Sequence, residues 1–582
     1  MIKWSFLPVL TALSVTVTAQ NHPAAEKIAK PSAPIAISHV NLLNVVTGKT
    51  DADQTVLIEN DRIIAKGPSK KAKVPANATL VDGTGKYLMP GMTDAHIHFF
   101  QSGGLYTRPD GVNLNNIYPY EKDQRWVKDN LYNLMGRYLA CGITTVIDVG
   151  GPMSNFATRD SLAVYQATPT ALVTGPLIST YLPPNLDKKD PPIVKINTPE
   201  EARELVKKQL PYKPDFIKIW YIVLPNQSAA STLPIVEATI QESHAHGLKV
   251  AVHATEYETA KLAVMAGADI LVHSVDDKPL DNELLQLLKS KQTAYIPTLV
   301  VAQGYHRTFT QQFDFTAHDF KYADPFMLGT LMDLQHIEKG KPFDYKKIRN
   351  IMHVPDKADT MMRQNLKLAQ QAGVLVVAGT DAGNVGTHHA SSFYDELLAM
   401  QASGLTNMEI IRSATINAAK GFGKDKDYGS IEKGKIADLL LLDKDPVQDI
   451  TALSNINTII RRGIPMQQEQ LITITPEILA QQQLNAYNAR NIDAFLEPYS
   501  DSIVLYNFPG QPFVKGKTQM RQRYSTLFSN TKELHCQLVN RMVQGNTIID
   551  HERITGFGPS PLEAIAIYKI KDGKIAEAWF IR

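Results

Sequence analysis

One pattern constrains this chain more than any other: from about residue 88 to about residue 420, short apolar runs give way repeatedly to helical patterns. The runs expected as strands are Leu88 to His98, Ile143 to Val149, Ala171 to Ile178, Phe216 to Trp220, Leu248 to His253, Ile270 to His273, Thr293 to Leu299 and Val374 to Asp381. Most are continuously apolar, as parallel strands buried on both faces must be. Eight strands separated by helices predict an α/β fold, a (β/α)8 TIM barrel over residues 89–421.

The flanks have a different pattern. Residues 36–66, with an Asn60-Asp61 turn, and 437–443 read as strand-rich, so 35–88 and 422–470 are expected to pair in space as a small composite β-sandwich. From Thr475 the order changes to helices first (Pro476 to Arg490, then a short one to about Glu497), a strand at Ser502 to Tyr506, a helix at Lys517 to Phe528, and three or four long strands. That order predicts a self-contained α+β domain over 475–582.

At the other end, Lys3 precedes an apolar stretch from Trp4 to about Val17, and Val17-Thr18-Ala19 offers small residues at a cleavage site. This reads as a signal peptide over 1–19 followed by a linker over 20–34, and predicts an exported protein, periplasmic or secreted. An uncleaved N-terminal anchor is the competing reading. The stretch is shorter than the roughly 20 residues of a membrane span, so no stable membrane insertion is expected. Sixty Lys+Arg against 58 Asp+Glu leave a net charge of +2, no electrostatic case for a nucleic-acid partner. Cys141 and Cys536 lie in different predicted domains and are expected unpaired.

The chemistry-bearing residues gather at the ends of predicted strands. In Thr93-Asp94-Ala95-His96-Ile97-His98 the two histidines are i and i+2 on a strand, so both project toward the C-terminal mouth of the barrel and make half a metal site. His244 and His246 form the same HxH pattern on a helix, where i and i+2 diverge by about 200°, and are read as surface. Lys218, His253, His273 and Asp381 each follow an apolar run. Any one alone is explained as a satisfied core residue; six metal-compatible groups on five strand ends are not. The adjacent His388 and His389 are read as a loop pair rather than metal ligands.

With the neighbouring stretches Gly85-Lys86-Tyr87-Leu88-Met89-Pro90-Gly91, Gly142-Ile143-Thr144-Thr145-Val146, Gly379-Thr380-Asp381-Ala382-Gly383 and Gly434-Lys435-Ile436-Ala437-Asp438-Leu439, the chain resembles the amidohydrolase superfamily over roughly residues 35–465. The resemblance is to its binuclear-metal, imidazolonepropionase-like and dipeptidase-like branch. It implies two divalent metal ions, zinc by default: His96, His98 and Asp381 on one, His253 and His273 on the second, and Lys218 bridging them as a CO2-derived carbamate. It further implies hydrolysis of a C–N bond, in an amide, a small peptide or a cyclic amide, by a metal-bridging hydroxide, with Asp381 carrying the proton to the leaving nitrogen. His253-Ala254-Thr255-Glu256 also looks like the His-x-x-Glu of mononuclear deaminases in the same superfamily, with Glu256 as proton shuttle on a heterocycle. Lys218 is what separates the two readings.

Substrate contacts are expected from Tyr221, as oxyanion donor or aromatic wall, and from His388, which lies where relatives often carry a loop histidine. The long loops at 100–125, 179–197 and 302–350 are candidates for a lid or specificity wall.

In the last domain, Leu484-Asn485-Ala486-Tyr487-Asn488-Ala489-Arg490-Asn491-Ile492-Asp493-Ala494-Phe495, Val514-Lys515-Gly516-Lys517 and Ile570-Lys571-Asp572-Gly573-Lys574-Ile575-Ala576-Glu577-Ala578-Trp579 resemble the nuclear-transport-factor-2-like (NTF2-like), or polyketide-cyclase-like, α+β cone. That fold serves enzymes and mute binding or dimerisation modules alike. A homo-oligomer acting on a small-molecule or short peptide substrate is expected, and His551-Glu552 is either a functional pair in the cone or a partly buried polar pair.

Overall fold

The computed structural model describes residues 27–28, 33–224, 226–337 and 356–582; the expected signal peptide and most of the linker lie outside the described residues. The barrel is present. Met92–Ile97, Ile143–Asp148 and Thr170–Val173 pair in parallel, and Ile217–Trp220, Val250–His253, Ile270–Val272, Ala294–Ile296 and Leu375–Val376 follow in sequence order in a second parallel sheet. Backbone hydrogen bonds join the two sheets into a ring. Asp215 N–H donates to Val173 C=O (3.0 Å) on one side; Ala95 N–H to Ala378 C=O (3.1 Å) and Asp381 N–H to His96 C=O (2.7 Å) close the other.

Alternate strand residues separate as a filled barrel requires. Ala95, Ile147, Ala251, Ile296 and Val377 pack in one cluster, while Val146, Leu271, Tyr295 and Val376 join the larger cluster shared with the helices.

Two predicted runs are interrupted. The run Leu88 to His98 is two strands: Tyr87–Pro90 and the Gly91 N–H, which donates to Asp438 C=O, belong to the flanking sheet, and from Met92 on the chain pairs in the barrel; at Gly91 a side chain would collide with Thr144. The run Ala171 to Ile178 breaks at Gly175-Pro176, where Gln209 Oε1 accepts the Gly175 N–H (3.0 Å). The flanking segments form one eight-stranded sheet in which Leu439–Leu442 pairs antiparallel to Tyr87–Pro90, which in turn pairs with Ile35–Asn44. Asp438, from the Gly-Lys-Ile-Ala-Asp motif, is buried there against Arg461 Nη1 (2.6 Å) and accepts the Arg462 N–H (2.7 Å). A buried pair of this kind costs about 3–5 kcal/mol when one partner is lost.

The C-terminal domain is a six-stranded sheet with the helices Pro476–Asn488, Ile492–Leu496 and Lys517–Asn530 packed through Leu479, Phe495 and Phe528 onto Ile503, Leu505 and Tyr568. Four long strands, His535–Gln544, Thr547–Thr555, Leu562–Lys571 and Lys574–Ile581, close it as expected. It also has a short strand, Gln511–Lys515, hidden in the sequence by Pro509, Gly510 and Pro512. Against the barrel, Asn485 Nδ2 donates to Pro325 C=O (2.6 Å), and His336 Nδ1 lies 2.9 Å from His535 Nε2. Cys141 and Cys536 are free and buried.

Candidate metal centre

At the C-terminal ends of the barrel strands a cavity of about 170 Å³ is lined by His98, Lys218, His253, His273 and Asp381 together. His96 sits directly behind it, fully buried, its ring centroid 5.2 Å from that of His98 and 4.9 Å from that of His273; the His253 and His273 rings are 4.4 Å apart. Ligand atoms of His96, His273 and Asp381 all lie within 4.8 Å of one another. Asp381 Oδ1 is 3.3 Å from His96 Nε2 and 3.1 Å from His98 Nε2. The six strand-end groups predicted as ligands thus converge.

The donor set fits a metal. Neither ring nitrogen of the buried His96 has a hydrogen-bond partner among the described residues, a costly state for an imidazole unless a cation completes it. His98 Nδ1 donates to Gly150 C=O (2.7 Å) and His273 Nδ1 lies 2.7 Å from Thr298 Oγ1, so both rings keep Nε2 for the cavity side.

The groups that hold these side chains in place were not anticipated from the sequence. Asp148 accepts from Phe99 N–H (2.8 Å), Gly150 N–H (2.9 Å) and Asn155 Nδ2 (2.8 Å), and so fixes the carbonyl that orients His98. Asp94 receives Thr380 Oγ1 (2.7 Å) and Thr380 N–H (3.1 Å), which locks the last strand to the first beside Asp381. Gly379 allows that approach: a Cβ there would stand 2.9 Å from His96 N. Glu396 accepts the Leu299 and Val300 N–H groups (3.1 and 3.0 Å) at the start of helix Leu299–Thr310, which fixes Thr298 under His273. The signal available was a carboxylate ending an apolar strand, as in Thr144-Thr145-Val146-Ile147-Asp148.

Backbone strain concentrates here. His273, Thr298 and Asp381 have φ of 76°, 46° and 63°, a left-handed conformation costing about 1–3 kcal/mol for a non-glycine residue. Three such residues meeting at the strand ends indicate that surrounding packing holds the site in place.

Burial sets the electrostatics. It pushes the Lys218 amine down to about 7, against which the Asp381 charge pulls upward. Burial also holds His96, His253 and His273 well below the usual imidazole range, with the Lys218 charge adding to each, so all three are neutral and ligand-ready. Asp381 is pushed up by burial, but its hydrogen bond to His98 and the electrostatic pull of the surrounding imidazoles and Lys218 outweigh this and leave it below the ordinary carboxylate value. Burial raises Asp94 and Asp148 to about 7.

Other expectations are corrected. Tyr221 does not line the cavity: it is buried among Ile217, Ile235 and Val236, and its hydroxyl donates to Ala229 C=O; the neighbouring Trp220 takes the wall position. His388 does not line it either. It borders a separate small void with Arg307 and Asp395, and burial pushes it down to about 4. Glu256 is exposed at the N-terminus of helix Tyr257–Ala266, away from the cavity lining, so it is not placed as a proton shuttle. As read, His244 and His246 are surface residues, paired with Asp269 (2.8 Å) and Glu242 (3.1 Å). His389 is satisfied on both nitrogens by Gln101 C=O and the Tyr138 hydroxyl, 2.8 Å each.

The loops predicted as walls supply a further cavity residue, Arg108. Its Nε and Nη2 donate to Asp110 (2.8 and 2.7 Å) and Nη1 to Asn384 Oδ1 (2.6 Å), leaving part of its five-donor fork uncommitted. Leu186 and Ile193 line the cavity from the 179–197 loop. The 302–350 segment begins inside helix Leu299–Thr310 and is helical again over Ala317–Tyr322 and Pro325–Thr330, and residues 338–350 lie outside the described residues.

Comparison with known proteins agrees with this architecture. An imidazolonepropionase from Shouchella clausii is 23% identical over 441 residues, 70% of this chain and 84% of that one. A 5-methylthioadenosine/S-adenosylhomocysteine deaminase from Teredinibacter turnerae is 29% identical over 143 residues, 21% of this chain and 31% of that one. A crystal structure of a Xaa-Pro dipeptidase with bound methionine in the active site superposes with TM-score 0.57 at 21% identity, covering 75% of this chain and 100% of that one. The SnoaL-like domain profile, an NTF2-like family, matches residues 480–578, and the amidohydrolase family profile matches 87–465. The chain belongs to the amidohydrolase family of metal-dependent hydrolases acting on carbon–nitrogen bonds, with an SnoaL-like domain following the barrel.

Proposed function

We propose that the protein is an exported hydrolase that cleaves an amide or peptide bond in a small substrate, using two divalent cations, zinc by default, and a carboxylated Lys218. The supporting observation is the convergence of His98, Lys218, His253, His273 and Asp381 on one cavity, with His96, whose ring nitrogens make no hydrogen bond among the described residues, behind it. His96, His98 and Asp381 would hold one cation, His253 and His273 the other, and the Lys218 carbamate both. When bound, the cations polarise the scissile carbonyl and bring the pKa of water down toward neutrality.

The chain's own residues supply the rest. An amine brought down to about 7 by burial is about half neutral at neutral pH, and only the neutral form has the lone pair that bonds to the carbon of CO2. That nitrogen then loses one proton to solvent, and the product is a carbamate anion. Asp381 accepts the proton of the attacking water and returns it to the leaving nitrogen. Arg108, held in place by Asp110 and Asn384, offers its remaining N–H groups to a polar or anionic end of the substrate. The Trp220 and Leu186 walls restrict water.

A panel of dipeptides and cyclic amides, assayed with metal-reconstituted protein alongside elemental analysis and intact mass, tests this reading. Two metals per chain, a mass excess of one CO2 and amide turnover are expected. One metal with ammonia release from a heterocycle would replace it with the deaminase reading. Export is tested by N-terminal sequencing of the extracytoplasmic fraction, where a start at Gln20 is expected.

A further inference from the structure

A second cavity lies inside the C-terminal domain, with a volume of about 870 Å³, and shares no lining residue with the barrel cavity. That size is within the roughly 300–1,000 Å³ of small-molecule sites.

Its two ends differ in chemistry. At the buried end a relay of side chains runs inward: Tyr499 O–H donates to Gln483 Oε1, Gln483 Nε2–H to the Tyr568 oxygen, and Tyr568 O–H to Glu552 Oε1, each at 3.1 Å. This relay uses one Glu552 oxygen, and all four side chains are buried. Burial first, then the neighbouring Asp550, pushes Glu552 up to about 7, so near neutral pH it is about half protonated and can donate as well as accept. The adjacent His551 points the other way along the strand, exposed and 2.8 Å from Glu563. The walls are aromatic and aliphatic, with Phe495, Tyr524, Phe580, Leu527 and Ile554 among them. At the exposed end stand two cations, Arg582 and Arg523, the latter 5.0 Å over the Phe513 ring. No carboxylate side chain lines the cavity at that end.

We propose that this cavity is a second ligand site, which takes an organic carboxylate with a ring-shaped apolar body, its anion at Arg523 and Arg582 and its body against the aromatic walls. A polar substituent at the far end of such a ligand would meet the Glu552–Tyr568 relay. The site stands independently of the barrel chemistry, because its residues come only from the C-terminal domain. An apolar body without the anion would forgo the attraction of the two arginines, and a small anion without the body would leave the walls uncovered.

Calorimetric titration of the full-length metal-loaded protein with 2-naphthaleneacetate, and with the neutral 2-naphthaleneethanol, tests the proposal. One site per chain is expected, with the carboxylate about tenfold or more tighter than the alcohol. The double substitution Arg523→Gln, Arg582→Gln is expected to bring the two ligands to the same affinity, and Ala564→Trp, which fills the cavity, to abolish binding of both. Circular dichroism and melting check that each variant is folded. Should Ala564→Trp unfold the domain, the exposed arginine pair still decides the matter. Absence of saturable binding, equal affinity for acid and alcohol in the wild type, or loss of binding on Arg108→Gln with the double variant unaffected would each overturn the proposal.

Discussion

Replacement of Lys218 by methionine is expected to abolish hydrolysis and, in metal-free protein, to raise stability. Methionine matches the length of the lysine stem without its charge. In the fold the Lys218 amine is brought from its ordinary 10.5 to about 7, chiefly by burial. The folded value is below the unfolded one, so between about pH 7 and pH 10.5 the unfolded chain binds more protons and stability rises with pH across that window. At pH 7 the folded state gives up about 4 kcal/mol relative to pH above 10.5, a little less than the full displacement would give because the folded amine is already about half neutral there. Lys218→Met removes this cost, although loss of the attraction to Asp381 takes back part of the gain. For a domain as large as the barrel, 1 kcal/mol moves the melting temperature by roughly 2 °C, so a rise of up to about 8 °C is expected at pH 7, shrinking toward zero near pH 10.5. Scanning calorimetry of EDTA-dialysed wild type and variant at pH 7, 8.5 and 10, at two scan rates, measures it. A variant that melts at or below wild type at pH 7, or a difference that does not narrow with pH, would refute the burial argument.

Other outcomes follow from the same geometry. On the proposed mechanism Asp381→Asn removes the proton carrier and a ligand atom together, and kcat is expected to fall by about 10³-fold or more while the barrel stays folded by circular dichroism. Asp148→Asn unsettles the carbonyl that orients His98 and should weaken metal affinity by about 10–100-fold, read by competition with a chromogenic chelator. Arg108→Gln is expected to raise KM for a substrate with an anionic end by about 10–100-fold and leave kcat within a few-fold; equal losses in kcat and kcat/KM would instead place Arg108 at the transition state.

The convergence of the six strand-end groups was legible because strand geometry aims them. His96 and His98 share a face by the two-residue period, and Lys218, His253, His273 and Asp381 end apolar runs that can only be barrel strands. Tyr221 and His388 were not legible, since each lies beyond a regular strand and its direction depends on packing: Tyr221 turns toward Ala229, and His388 behind Gly103. Arg108 was hidden for the same reason, as a loop residue positioned by Asn384, 276 residues away in sequence. The extent of the first strand was misread because the partner of the Gly91 N–H, Asp438 C=O, lies in a distant part of the sequence. The volume of the C-terminal cavity arises from closure of a whole sheet over three helices, and no local pattern records it.

The flanking sheet has a consequence for how the chain is made. Tyr87–Pro90 hydrogen-bonds along one edge to Leu439–Leu442, so its neighbour there is synthesised about 350 residues later. At about 5–20 residues per second that edge waits roughly 20–70 s with its amides and carbonyls bare. A nascent chain truncated between residues 90 and 439 should therefore bind chaperones and self-associate, however well its early barrel strands pair, and maturation should depend on the late arrival of one four-leucine strand.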